Sequence, residues 1–156
     1  MMTSKLVTLA TVIDKRMRRW SITVQVDNIT GRRVAYFGVW PAGRVNPRSS
    51  SIGLACCTVG EPGKAKLDDF NVDRLYQNYG IGSKLLEEIE KWALYMNVTH
   101  LYGDLSDVDA DHFPMLHHLY TRHGWTWCLF NESDPRFRPN SPLVGIVEKT
   151  FSIRSH

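Results

Sequence analysis

The sequence predicts a mixed α/β fold, on three observations. The first seventy residues carry strand patterning, the period becomes helical after Val72, and short strand candidates return around a second helical stretch. Val7 to Ile13 is β-branched and partly alternating, and Ser21 to Val26 alternates polar with apolar residues as a half-buried strand does. Asn28 to Gly31 supplies turn chemistry before Arg33 to Trp40, so a hairpin is expected. Pro41 to Ser51, rich in Pro, Gly, Arg and Ser, reads as an exposed loop. Ile52 to Val59 is a further apolar run, and Glu61-Pro62-Gly63 turns the chain into a strand from Lys64 to Val72. The sheet is expected to be antiparallel to this point.

Ile81, Leu85, Leu86, Ile89, Trp92, Ala93 and Met96 then form a stripe at helical spacing, with Lys84, Glu87, Glu88, Glu90 and Lys91 assigned to the opposite face. Val98 to Leu105 reads as a strand. Pro114 suits a first helical turn, and Met115, Leu116, Leu119 and Tyr120 continue a helix that Gly124 ends. Trp125 to Phe130 and Leu143 to Phe151 give two last strands.

The 156 residues suffice for one domain, in which residues 1–63 are β-rich and 64–130 carry the chemistry. At 43% hydrophobic and 22% charged, the composition excludes disordered and fibrous classes. A formal charge of +3 suits an anionic ligand without announcing nucleic acid, although Arg16 to Arg19 and Arg44 to Arg48 are basic. Such short basic clusters are usually solvated connections, so nucleic acid is not the expected partner. Cys56, Cys57 and Cys128 form no CxxC pair, which argues for reduced thiols rather than a disulfide framework or a zinc site. The start lacks a signal-peptide core and no apolar run approaches the roughly 18 residues of a membrane span, so a cytoplasmic location is expected.

Chemistry concentrates in Gln77-Asn78-Tyr79-Gly80-Ile81-Gly82-Ser83. A strand, a short glycine-bearing connection and an amphipathic helix point unpaired amides at an anion, and the helix dipole adds positive potential there. Glycines at 80 and 82 remove the Cβ atoms that would hold phosphate oxygens off the backbone, so a bulky residue at either position should block binding. No Gly-Lys-Ser/Thr ending is present, and Leu85 stands where a third dinucleotide-fold glycine would be. Nucleotide hydrolysis and hydride transfer both lose support.

Gln77-x-x-Gly80-x-Gly82 resembles the Gln/Arg-x-x-Gly-x-Gly/Ala signature of the GNAT superfamily of N-acetyltransferases. Leu119-Tyr120-x-x-x-Gly124-Trp125 is similar to that family's Leu-Tyr-x-x-x-Gly-Phe. The resemblance covers about Lys64 to Phe130. It implies a central mixed, mostly antiparallel sheet whose strands four and five splay to admit the pantetheine arm of acetyl-CoA. No metal is expected, because the histidines lack a helical ligand spacing. The family's two amino-terminal helices are not apparent here, and Phe113 stands where many members carry an asparagine near the cofactor arm.

By the same resemblance, Gln77 to Ser83 would cradle the pyrophosphate, with Gln77 orienting the loop. Main-chain groups of Phe70, Asn71 and Val72 would pair with the pantetheine, and the Val72 amide would polarise the thioester carbonyl. Tyr120 would protonate the leaving thiolate, its ordinary pKa of about 10 lying near that of a thiol, about 8.5. An attacking amine must lose a proton, and Asp68 is the candidate base because even spacing along a strand places it with Phe70 and Val72. Glu61 or a water chain could serve instead.

Asp104, Asp107, Asp109 and Asp111 form an acidic run that could draw a cationic acceptor, or simply a solvated, capped loop. His112, His117, His118 and His123 miss the i, i+4 spacing of a helical metal site. The expected partners are acetyl-CoA and an amine acceptor, small molecule or protein, with a homodimer left open. The alternative from another class is a non-catalytic acyl-CoA sensor or scaffold.

Overall fold

The computed structural model describes residues 5–46 and 51–152. The strands are β1 (Val7–Ile13), β2 (Arg19–Ile29), β3 (Arg32–Pro41), β4 (Gly53–Glu61), β5 (Lys64–Val72), β6 (His100–Ser106), β7 (Thr126–Leu129) and β8 (Leu143–Thr150). Helix α1 spans Ile81–Tyr95 and α2 spans Phe113–Arg122. The strands form one sheet in the order β1-β2-β3-β4-β5-β6-β8-β7, and only β5 and β6 run parallel. The mixed, mostly antiparallel sheet is thus the expected one. Among the described residues no helix precedes a short 3₁₀ turn at Arg74–Tyr76, and the Arg44 to Arg48 segment runs into undescribed positions 47–50. Among the described residues no helix is long and apolar enough to cross a membrane.

Strand alternation fixes the two faces. Ile22 partners Val39, Val24 partners Phe37, and Phe37 partners Ala55, so these apolar side chains share one face. Helix α1 covers it, and Trp92 meets the Phe37 ring edge-on at 5.4 Å. The helical stripe is buried as expected, from Ile81 at 1% exposure to Leu85, Leu86 and Ile89 at 0%. The polar face departs from expectation: Glu88 and Glu90 are buried as well. Glu90 accepts from Lys149 Nζ at 2.5 Å and Glu88 from Lys91 at 3.1 Å, so partners elsewhere make that burial tolerable.

The β5–β6 pairing lasts three residues, from Lys64–His100 to Lys66–Tyr102. Beyond it β5 continues to Val72 and β6 to Ser106 without pairing, which leaves a fork. Two local features sit there. Asp69 takes φ 55°, and the β4–β5 register slips between Leu54 and Cys56, the signature of a β-bulge that bends its strand. At Gly103 a Cβ would lie 3.1 Å from the Leu67 carbonyl oxygen, so glycine eases this close passage of β6, and a side chain would require the strands to give by a few tenths of an ångström.

The β1–β2 connection is built on a buried carboxylate. Asp14 accepts hydrogen bonds from the Arg16 and Arg18 amides at 2.8 and 2.9 Å, from Arg18 Nε at 2.7 Å and from Trp20 Nε1 at 3.0 Å. Burial alone would raise its pKa; the bonds from Trp20, Arg18 and Arg16 outweigh that and hold it at about 2. The turn so fixed packs on the loop after β5. Lys15 N–H donates to Tyr79 O at 2.9 Å, and the Arg16 and Arg18 guanidiniums lie 4.5 and 4.9 Å from the Tyr79 ring centroid. Arg16 and Arg18 are therefore members of a clamp, although Arg16 is exposed, as a solvated connection would have it, and Arg18 only half-buried.

Because the folded carboxyl titrates below its unfolded value of about 3.9, its contribution is present above that pH and fades as pH falls toward 2. Asp14→Asn should cost about 2–3 kcal/mol at pH 7, with a deficit in urea unfolding that shrinks below pH 4.

Candidate functional site

Past the fork, a cleft of about 970 Å³ is bounded by β5, β6, the start of α1 and one flank of α2. At the end of the cleft beside the start of α1, the loop after β5 is tied back by Gln77, whose Nε2 donates to Val72 O at 2.8 Å. Asn78 at φ 68° and Gly80 at φ 90° turn the chain into α1. The first helical bond runs from Lys84 N to Gly80 O at 3.1 Å, so the amides of Ile81, Gly82 and Ser83 have no helical partner.

Asp68, Phe70, Asn71, Val72, Gln77, Asn78, Gly80, Gly82, Ser83, Phe113 and Tyr120 all line the cleft. The side chains of Tyr79 and Ile81 do not: Ile81 is in the core and Tyr79 is held by the arginine clamp. A Cβ on Gly82 would meet Leu119, Val72 and Phe70 only at 3.8–4.0 Å, so alanine fits there. At Gly80 the constraint is tighter, since its left-handed φ disfavours any side chain.

At the fork, Asp73 N–H donates to Ile52 O at 2.7 Å, toward the β4 side. Alternation along the strand then turns the Val72 N–H the other way, into the gap that β6 leaves. The bulge overturns the face assigned to Asp68. Asp68 partners Cys56 and Asn71 partners Leu54, whereas Val72 partners Gly53 and Leu67 partners Cys57. Since Leu54 and Cys56 share a face, Asp68 lies with Asn71, opposite Val72; the extra residue at Asp69 breaks the even spacing. Burial raises the Asp68 pKa, partly opposed by the Lys66 ammonium 3.7 Å away.

Tyr120 is 6% exposed, tilted 6.1 Å from Phe70 and 5.1 Å from Trp125, and burial pushes its phenol upward, away from the thiol range. The phenol is therefore protonated at neutral pH. Phe113 meets Trp127 edge-on at 5.3 Å, so this position packs an aromatic ring at the cleft and offers no side-chain hydrogen-bond donor.

Two parts of the site escape the motif. Lys15 lines the cleft, its Cγ and Cε 3.8 Å from where a Gly80 Cβ would stand. Ser83 Oγ lies 2.6 Å from His123 Nε2, and His123 O accepts from Lys149 Nζ, which also holds Glu90. Both contacts join distant segments, and no spacing rule could reveal them. The remaining histidines do not gather: His117 packs on Trp127 at 5.3 Å, while His112 and His118 reach the cleft separately. Among the described residues no three metal-type side chains cluster. The acidic run forms a 3₁₀ turn at Asp107–His112, capped by Ser106, and Asp104 is paired with Lys66 at 2.9 Å.

A family model described as the acetyltransferase (GNAT) family matches residues 29–125. Among curated proteins none matches the chain significantly. Solved structures share the fold. A GNAT-family acetyltransferase from Staphylococcus aureus is 16% identical with TM-score 0.55, over 75% of this chain and 68% of its own. The ribosomal-protein-S18-alanine N-acetyltransferase of Escherichia coli is 19% identical with TM-score 0.54, over 77% and 70%. The PaiA N-acetyltransferase of Thermoplasma acidophilum, in complex with coenzyme A, is 19% identical with TM-score 0.53, over 76% and 61%.

Calorimetric titration with coenzyme A tests the cradle. Gly80→Glu should weaken binding by about 100-fold or more, through a strained φ and a charge set among phosphates, and Lys15→Ala by about tenfold, less so as salt rises. Gly82→Ala should stay within about threefold of wild type, because its Cβ meets only ordinary contacts.

Proposed function

We propose that this chain, which belongs to the acetyltransferase (GNAT) family, transfers an acetyl group from acetyl-CoA to a primary amine by direct attack in a ternary complex. The observation that carries the reading is one continuous cleft. It joins the unpaired amides at the start of α1 to the fork where the Val72 N–H faces an unpaired gap, with Tyr120 and Asp68 both on its lining. The cradle fits a pyrophosphate, because its glycine has the left-handed φ the turn needs and Lys15 adds a cation.

In this reading Ile81 to Ser83 and Lys15 bind the phosphates, and the edge of β5 from Phe70 to Val72 aligns the pantetheine arm as a neighbouring strand would. Asp68 takes the proton of the incoming ammonium. The amine nitrogen then attacks the thioester carbonyl carbon while the Val72 N–H stabilises the oxygen that gains charge. The carbon–sulfur bond breaks, Tyr120 gives its proton to the departing thiolate, the second proton of the amide nitrogen restores Tyr120, and Asp68 returns its proton to solvent. The products are an N-acetyl amide, coenzyme A as a thiol and one net proton. Positioning and the amide donor supply most of the acceleration. A purely binding role is not favoured, because the proposed acid and base both reach the cleft.

Free-thiol release is the assay. Tyr120→Phe should lower kcat by about 100-fold while leaving the acetyl-CoA affinity nearly unchanged. A base must be ionised, so kcat/KM should fall as pH drops through the Asp68 pKa, which burial raises. Asp68→Asn should remove that acidic limb along with most of the activity; retention of the limb would assign the base elsewhere.

A further inference from the structure

The face of the sheet opposite the helices carries a second cavity, of about 330 Å³, lined by Arg32, Glu61, Lys64, Lys66, Asp68 and Tyr102 among others. Register explains the convergence. Lys66 partners Thr58 on β4 and Tyr102 on β6, and Val34 on β3 partners Thr58, so Arg32, two residues before Val34, projects from the same face. Asp68 borders both cavities, because it stands just beyond Lys66, the last residue of β5 that pairs with β6. The second cavity therefore runs from the β4–β5 turn to the fork and reaches the gap from the side opposite the helices.

Its charges are unbalanced. Lys66 is engaged by Asp104 at 2.9 Å and Asp68 at 3.7 Å. Lys64 lies over the Tyr102 ring, 4.9 Å from its centroid, and neither Lys64 nor Arg32 has a carboxylate partner among the described residues. Glu61, which partners Lys64 across the β4–β5 turn, also lines the cavity without an ion pair among the described residues, so two uncommitted cations face one uncommitted carboxylate, and the net positive balance favours an anion, which the guanidinium fork can hold bidentately. The acidic run offered to a cationic acceptor by the sequence is already compromised, since its first member, Asp104, is neutralised by Lys66.

We propose that this cavity receives the acceptor, and that the acceptor is a primary amine carrying an anionic oxyacid group, carboxylate or phosphate, at its far end. Arg32 and Lys64 bind the anion while the amine reaches Asp68 at the fork. This assignment rests on the acetyltransferase reading. Lys64 and Asp68 are four residues apart on β5, about 13 Å between Cα atoms at roughly 3.3 Å per residue, so after both side chains reach inward the ligand needs a spacer of several carbons.

The test compares hexylamine, 1,6-diaminohexane, 6-aminohexanoate and 6-aminohexyl phosphate with the full-length protein at saturating acetyl-CoA, by thiol release. Their binding to the coenzyme A complex is measured in parallel by calorimetry. The anionic amines should exceed hexylamine in kcat/KM and in affinity by about tenfold or more, as one charge-assisted contact provides, and the better of the two identifies the oxyacid. In Arg32→Ala/Lys64→Ala that ratio should fall to near one, and in Arg32→Glu/Lys64→Glu the diamine should become the preferred acceptor. Selective binding of the anionic amines without thiol release would uphold the pocket and tell against the transfer reading. Equal binding of hexylamine and 6-aminohexanoate, or a preference that survives both double variants, would overturn the pocket whether or not thiol appears.

Discussion

The structure depends on where two parallel strands stop pairing. β5 and β6 share three residue pairs and then part, although both continue. A sheet interior normally satisfies its backbone groups within itself, and an unpaired stretch this central is costly unless something else supplies the partners. Here Gln77 takes one of them, the Val72 carbonyl. The neighbouring N–H is left facing the gap, where a substrate arm can act as the missing strand. The bulge at Asp69 and the glycine at 103 fix the fork geometrically: one bends β5, and the other lets β6 come close just before the strands separate.

The second constraint is the clamp on the loop after β5. A loop that must present bare amides cannot also be held by them, so its rigidity has to come from its other side. The Asp14 turn provides it through a backbone bond to Tyr79 and two arginines stacked on the same ring. A single buried carboxylate thus connects the stability of the first hairpin to the shape of the proposed phosphate site, and the same turn delivers Lys15 to its rim.

Periodicity and turn chemistry made the elements legible. The alternation of Ser21 to Val26, the stripe from Ile81 to Met96 and the ending at Gly124 each correspond to an element found at that place. The turn from Gln77 into α1 was legible because it is carried by a glycine at φ 90°, which a short motif encodes locally. What stayed hidden is long-range. The Ser83–His123 contact spans 40 residues, and the Asp14 clamp joins segments some sixty residues apart in sequence. The face of Asp68 was misread for a sharper reason: a bulge inserts one residue into a period of two, and nothing in Asp68-Asp69-Phe70 announces it. Likewise the cationic cavity on the opposite face appears only once Arg32, from one strand, lies beside Lys64 and Lys66, from another.

The central claim is that backbone amides at the fork and at the start of α1 receive the acetyl donor. Amide chemical shifts of the isotopically labelled protein, followed as acetyl-CoA is added, test it most directly. The account predicts the largest changes at Val72, Ile81, Gly82 and Ser83, saturating together with a single affinity. Saturable binding that leaves those four amides unmoved, with the changes elsewhere on the sheet, would contradict it.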